Sequence, residues 1–304
     1  MKLNFVCIGA QKAGTTTLHD ILNSHPEIYL PTNKEALFFD INERYEKGLG
    51  WFYQTFFETY NQEKSIGNIN PNLQLQNRSL ERLHALFGNE LKVVFILRDP
   101  VKRAYSHYLM SKRRGYEKLS FIGALQAEKE RLISPVIRNN YVTKELGHYE
   151  MNHFGYCFRS RYFDTIKYLF ETFPRENIHL ILFEELFKNK RAKIEELLEF
   201  LSLPYSDQMN LEVQSNAAAE PRNEKLRDLV FQPNLLRSFF ANILTEKQKA
   251  YFKKRLININ NKPLDINDKK LETDERLKIF EKYFSEDVAK IENLTGLDLK
   301  NWRK

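Results

Sequence analysis

The chain predicts an α/β protein: a three-layer α/β/α sandwich with a central parallel sheet and a helical annex after it. Two observations carry that prediction. Short apolar runs at Leu3–Ile8, Lys92–Leu97 and Ile178–Phe183 alternate with amphipathic helical segments, and such alternation implies parallel strands joined by right-handed crossovers. After Pro204 the strand signal disappears and only polar and helical patterns follow.

Taken in order, Leu3–Ile8 ends at Gly9 and reads as a buried strand. Thr15–Asn23 reads as a helix with Leu18, Ile21 and Leu22 on one face. Ile28–Leu30 is a second short strand, closed by Pro31. Trp51–Tyr60 is an aromatic helix, and Leu75–Phe87 another, striped by Leu80, Leu83, Leu86 and Phe87. The β-branched run Lys92–Leu97 is halted by Asp99-Pro100, and Arg103–Met110 follows as a helix. Arg161–Phe173 is amphipathic through Phe163, Ile166, Leu169 and Phe170. Ile178–Phe183 is the next strand and Arg191–Leu201 the next helix. Ser202–Arg222 reads as a polar loop, Asn258–Lys270 as an Asn/Lys-rich linker, and Glu272–Leu294 as one final helix stopped at Gly296. A single domain over 1–304 is expected, with an α/β core at 1–201 and the helical annex at 202–304.

The composition narrows the function. With 304 residues, 42% apolar and 29% charged, the chain is an ordinary globular protein. No apolar run reaches the roughly eighteen residues of a membrane span, and the stretch before Gln11-Lys12 is too short for a signal-peptide core. Two cysteines, Cys7 and Cys157, suit a reducing cytoplasm, and with seven histidines they make a Cys/His metal site unexpected. The net charge is 47 − 40 = +7, which favours an anionic ligand. The basic residues are scattered apart from Lys112-Arg113-Arg114, so nucleic acid is not the expected partner.

Two loops carry the chemistry. Gly9-Ala10-Gln11-Lys12-Ala13-Gly14-Thr15-Thr16-Thr17 joins the first strand to the first helix, where open α/β sheets bind ligands. Backbone N–H groups at the helix start and the hydroxyls of Thr15, Thr16 and Thr17 suit an anion. The pattern is P-loop-like, but the residue after Gly14 is a threonine and the lysine lies two positions before the glycine, which counts against an NTP-dependent kinase. A tight turn capped by threonine is the bland alternative. In the second loop, Arg98 ends a strand and can fork onto a phosphate, with Ser106 eight residues later able to donate to the same group. A surface pair between Arg98 and Asp99 is the alternative there.

Together these loops resemble those of sulfotransferases that use 3′-phosphoadenosine 5′-phosphosulfate (PAPS). Lys12-Ala13-Gly14-Thr15-Thr16-Thr17-Leu18 resembles their 5′-phosphosulfate loop, and Arg98-Asp99-Pro100 through Ser106-His107-Tyr108 their 3′-phosphate element. Lys34-Glu35-Ala36-Leu37-Phe38-Phe39-Asp40 is similar to a segment of the glycan (heparan-type) branch, as are Gly48-Leu49-Gly50-Trp51-Phe52, Phe173-Pro174-Arg175-Glu176-Asn177-Ile178 and Phe183-Glu184-Glu185-Leu186. Leu297-Asp298-Leu299-Lys300-Asn301-Trp302 resembles soluble bacterial members. The resemblance implies metal-independent, in-line transfer of a sulfuryl group from PAPS to a hydroxyl, or an amine, of a carbohydrate or small molecule. It assigns Lys12 to the leaving 5′-phosphate and Glu35 to the general base. His107 is the rival base, expected to be an ordinary helix-surface histidine. Three positions depart from the glycan pattern. Asn68-Ile69-Asn70-Pro71 replaces a Glu-Lys-Ser-Pro motif and so lacks its lysine. Leu37 replaces a histidine, and no late Lys-Gly-Arg loop is found, leaving Asn216 and Arg222 as candidates there. The other readings are a P-loop kinase and a catalytically inactive nucleotide- or polyanion-binding protein.

Overall fold

A computed structural model describes residues 1–31, 34–136, 141–213, 219–231, 255–256, 259–263 and 271–304. Its centre is a parallel five-stranded sheet made of β1 (Phe5–Cys7), β2 (Ile28–Tyr29), β3 (Ser65–Ile69), β4 (Lys92–Leu97) and β5 (Ile178–Leu182), in the order β2-β3-β1-β4-β5. The helices α1 (Thr15–Leu22), α2 (Asn42–Tyr45), α3 (Gly48–Phe56), α4 (Asn77–Phe87), α5 (Pro100–Arg113), α6 (Phe121–Ile133) and α7 (His148–Phe154) come before β5, together with α8 (Phe163–Thr172). Then follow α9 (Phe183–Lys188) and α10 (Lys190–Phe200). The expected α/β sandwich is borne out.

β4 lies inside the sheet between β1 and β5; every residue but its first is buried, as a continuous apolar run requires both faces to be covered. β3, which pairs with β1 and β2, was not among the strands expected from sequence. Ser65-Ile66-Gly67-Asn68-Ile69 has two β-branched residues in five, yet all five are buried. Gly67 explains part of this composition. It pairs with Phe5 of β1, and a methyl group placed on it would lie 2.1 Å from the Phe5 ring. Gly67→Ala is therefore expected to destabilise the fold by about 1–3 kcal/mol or more through overpacking. An unchanged urea midpoint would contradict this.

Beyond β5 the structure departs from expectation in two places. Ala219–Pro221 and Asn261–Pro263 pair as antiparallel strands β6 and β7, with α11 (Glu224–Phe231) after the first. Neither strand has the apolar alternation that sequence reading relies on. The single helix expected over Glu272–Leu294 is two, α12 (Thr273–Tyr283) and α13 (Ser285–Thr295), broken where Phe284 leaves helical geometry and is buried. The two late helices pack on α5 and α8 respectively. Asn216, and Asn258 and residues 264–270 of the Asn/Lys-rich linker, lie outside the described residues.

Candidate functional site

Parallel pairing of β1 with β4 sends both chains out of the same sheet edge. Ala10 N donates to Ile96 O at 2.8 Å and Ile96 N to Gly9 O at 2.9 Å, so the two loops start side by side. The Arg98 guanidinium then donates to the Lys12 carbonyl at 2.6 Å. It also lies 4.5 Å over the Phe183 ring. Phe183 and its neighbour Phe187, in contact with each other, also wall the other loop. A Cβ on Gly14 would come within 2.7 Å of Phe187 and 3.2 Å of Phe183. Gly14 has φ 82°, a conformation that glycine adopts without strain, and it precedes α1 without any side-chain cap. The first N–H groups of α1 thus lack the usual side-chain acceptor.

Cations gather around this loop. Burial pulls the Lys12 ammonium down to about 7, with Arg113, Arg114, Arg98 and Arg103 adding repulsion. Burial also lowers the pKa of each of those four arginines. Arg113 and Arg114 end α5, and sequence reading had noted them only as a basic run. Such a grouping of desolvated cations favours an anion that neutralises it. Thr15 and Thr17 are buried, Ala13 is fully buried, and Thr16 is half-buried. Ser106 is half-buried in the second turn of α5.

Glu35 comes to the same loop through its neighbour. Lys34 Nζ donates to Thr16 Oγ1 at 2.9 Å and Thr15 Oγ1 at 3.3 Å, and lies 3.6 Å from Glu35 Oε1. Sequence reading had treated Lys34 only as part of a motif. The segment it belongs to is braced by the two asparagines that replace the expected lysine motif. Asn68 Nδ2 donates to Ala36 O at 3.3 Å, and Asn70 Nδ2 to Asp40 Oδ1 at 3.0 Å. Burial raises the Asp40 carboxyl to about 6, and its other oxygen lies 3.9 Å from His148 Nε2 on α7. Leu37, where a histidine was expected, donates through its backbone to Glu35 O at 2.9 Å.

His107 is not the surface histidine expected of its helix position. It is fully buried. Arg103 donates to Nδ1 at 3.3 Å, which leaves the Nε2 proton for Asn152 O at 3.0 Å. Burial, with Arg103 and Arg159 nearby, holds its pKa well below the usual range. α7 covers this face of α5, and its sequence His-Tyr-Glu-Met-Asn-His-Phe has too few aliphatic residues to announce a buried helix. Arg222 is exposed, and its backbone N–H donates to Asn260 O at 2.6 Å. Among the described residues no group of three or more His, Cys, Asp or Glu is arranged to hold a metal ion.

A parallel sheet with a cation-rich strand-to-helix loop and an arginine at the adjacent strand end defines a P-loop-like protein with a candidate anion site. The chain belongs to the sulfotransferase domain family, whose model matches residues 4–271. The membrane-associated sulfotransferase kil1 of Dictyostelium discoideum is 25% identical over 291 residues, 74% of this chain and 61% of that protein. Heparan sulfate glucosamine 3-O-sulfotransferase 5 of Mus musculus is 32% identical over 103 residues, 34% of this chain and 29% of that protein. The chain thus spans less than two thirds of these relatives. The crystal structure of a sulfotransferase from Alicyclobacillus acidocaldarius superposes with a TM-score of 0.69 at 24% identity, covering 100% of both chains, which marks a shared fold. No helix among the described residues is long and apolar enough to cross a membrane.

Proposed function

We propose that this protein transfers a sulfuryl group from PAPS to a hydroxyl, or an amine, of a carbohydrate or small-molecule acceptor, working as one domain over residues 1–304 in a cytoplasmic setting. The observation that carries the proposal is the reach of Lys34 from Glu35 onto Thr15 and Thr16, which brings a carboxylate to the anion loop. Transfer of this kind passes through a loose transition state, so alignment and charge stabilisation dominate.

In this reading the α1 N-terminus, Thr15, Thr16 and Thr17 hold the 5′-phosphosulfate, with the backbone of Ala13 and Gly14 shaping the loop. Lys12 meets the charge that grows on the leaving 5′-phosphate. Lys34 supplies a second ammonium on the acceptor side, in place of the lysine missing at Asn68–Pro71. Glu35 accepts the acceptor's proton, and its 40% side-chain exposure leaves it open to an incoming hydroxyl. Arg98 and Ser106 hold the 3′-phosphate. His107 has both ring nitrogens engaged, which supports Glu35 as the base. The fit to PAPS rests on the repelling cations around Lys12, a set suited to a ligand with phosphates at both ends.

The test is calorimetry with 3′-phosphoadenosine 5′-phosphate and AMP. The bisphosphate should bind at least about tenfold more tightly than AMP, the scale of a charge-assisted phosphate contact. Arg98→Ala should abolish the difference. Equal affinity of the unaltered protein for both would refute the 3′-phosphate assignment. Turnover should persist in EDTA, whereas strict magnesium dependence would favour a kinase.

A further inference from the structure

Arg98 is held from behind by residues nearly two hundred positions later in the chain. Asp99 is fully buried, and its two carboxylate oxygens do different work. Oδ1 accepts from Val101 N at 3.0 Å and Lys102 N at 3.1 Å, capping α5. Oδ2 accepts from Arg276 of α12 at 2.5 Å. The same guanidinium donates to Trp302 O at 2.8 Å and to Lys304 O. The Asp99 N–H donates to Glu184 Oε1 at 3.1 Å, and Glu184 Oε2 accepts from Trp302 Nε1 at 3.3 Å. The Arg98 carbonyl accepts from Tyr162 Oη at 2.9 Å, and Tyr162 N donates to Asp287 of α13 at 2.9 Å.

We infer that Arg276, with Trp302, is a positioning residue for Arg98 and so sets selectivity for a nucleotide phosphorylated at the 3′ position. This rests on the proposed role of Arg98. The reasoning is geometric. A strand-to-helix turn has few internal hydrogen bonds, so its orientation comes from what surrounds it. Here Asp99 Oδ2 is tied to Arg276, and the N–H between Arg98 and the helix is tied to Trp302 through Glu184, while Oδ1 caps the helix. Lys102 is the other cation near Asp99, at 3.7 Å, but its side chain is 56% exposed and it can swing away into water. Without Arg276 the buried carboxylate loses its enclosed counter-charge, and the turn relaxes toward solvent to recover it. The Arg98 side chain then loses its fixed position over Phe183. The other loop loses only the Arg98 hydrogen bond to the Lys12 carbonyl; Ala13 N still donates to Ala10 O at 3.0 Å, and the α1 N-terminus keeps its place.

The experiment measures the ratio of affinities for 3′-phosphoadenosine 5′-phosphate and AMP in Arg276→Met, Arg276→Lys, Trp302→Phe and Arg98→Ala, and in the Arg98→Ala/Arg276→Met double variant. Arg276→Met should lower the ratio by about tenfold, with AMP affinity nearly unchanged. KM for PAPS should rise more than kcat falls. Arg276→Lys should recover part of the ratio by restoring the charge. In the Arg98→Ala background Arg276→Met should have no further effect on bisphosphate binding, because the two act through one contact. If Arg98→Ala abolishes the ratio but a folded Arg276→Met keeps it, the inference is wrong and the role of Arg98 stands. Equal losses of bisphosphate and AMP affinity, or additive effects in the double variant, also overturn it. If Arg98→Ala leaves the ratio intact, the reading of Arg98 and the inference both fall. Should Arg276→Met not fold, Trp302→Phe removes the Nε1 donor to Glu184 while keeping an aromatic ring and is judged by the same ratio.

Discussion

Glu35→Gln is expected to lower turnover by roughly two to four orders of magnitude, the usual contribution of a positioned general base. The amide keeps the shape of the side chain and its neighbourhood to Lys34, and removes only the ability to take a proton. Bisphosphate binding should change little, because the phosphates are assigned to other residues. The comparison that decides is His107→Ala, measured with the same acceptor and with bisphosphate binding as a control for folding. If Glu35→Gln turns over almost normally while His107→Ala is inactive and still binds nucleotide, Glu35 is not the base. The buried, doubly engaged imidazole makes that outcome unexpected. An amine acceptor that arrives already neutral would weaken the effect of Glu35→Gln, so the acceptor's ionisation is established first.

Lys12→Met is expected to lower turnover by about 10²–10³, the scale seen when one donor to a developing charge is removed. Methionine keeps most of the apolar stem and deletes the ammonium. A second signature comes from the proton. In the ligand-free fold burial brings the Lys12 ammonium down to about 7, well below the 10.5 of a solvated lysine. Between those values the unfolded lysine holds a proton that the folded one has released, so the unfolded state binds more protons. The lysine's penalty to stability is full below about 7 and is relieved as pH rises toward 10.5. An anionic nucleotide favours the charged lysine and draws a proton in when it binds. Bisphosphate affinity should therefore fall as pH rises above about 7, by at most about tenfold per pH unit. Calorimetry in two buffers of different ionisation enthalpy measures the uptake, and Lys12→Met should remove it. A binding heat independent of buffer in the unaltered protein would refute the assignment.

What the sequence made legible follows from where each signal is stored. β4 was readable because burial on both faces leaves an unbroken apolar run. β3 was not, because Gly67 is there to clear the Phe5 ring, a reason that exists only once β1 and β3 are paired. The break at Phe284 escaped for a similar cause, since neither proline nor glycine marks it and core packing makes the turn. In the site, the order of Lys12, Gly14 and Arg98 along strand-to-helix loops was enough to expect a shared edge, and the Arg98 to Lys12 hydrogen bond bears that out. Glu35 stood out only through its motif. Lys34 was beside it in the same motif, but its reach to Thr15 and Thr16 depends on how two separate segments fold together. Arg276 carried no signal at all, because its partner Asp99 lies 177 positions away.

The grouping of Lys12 with Arg98, Arg103, Arg113 and Arg114 has a consequence for the molecule as a whole. Like charges held together, Arg103 buried and the others half-buried, repel one another where an anion would sit. The protein without ligand is thus wound against itself at one place. A ligand that supplies negative charge there releases the tension, so part of its affinity is energy the fold had stored. Dissolved salt and simple anions reach the same spring. The working strength of the proposed donor site is then set as much by the ionic medium as by the residues that line it.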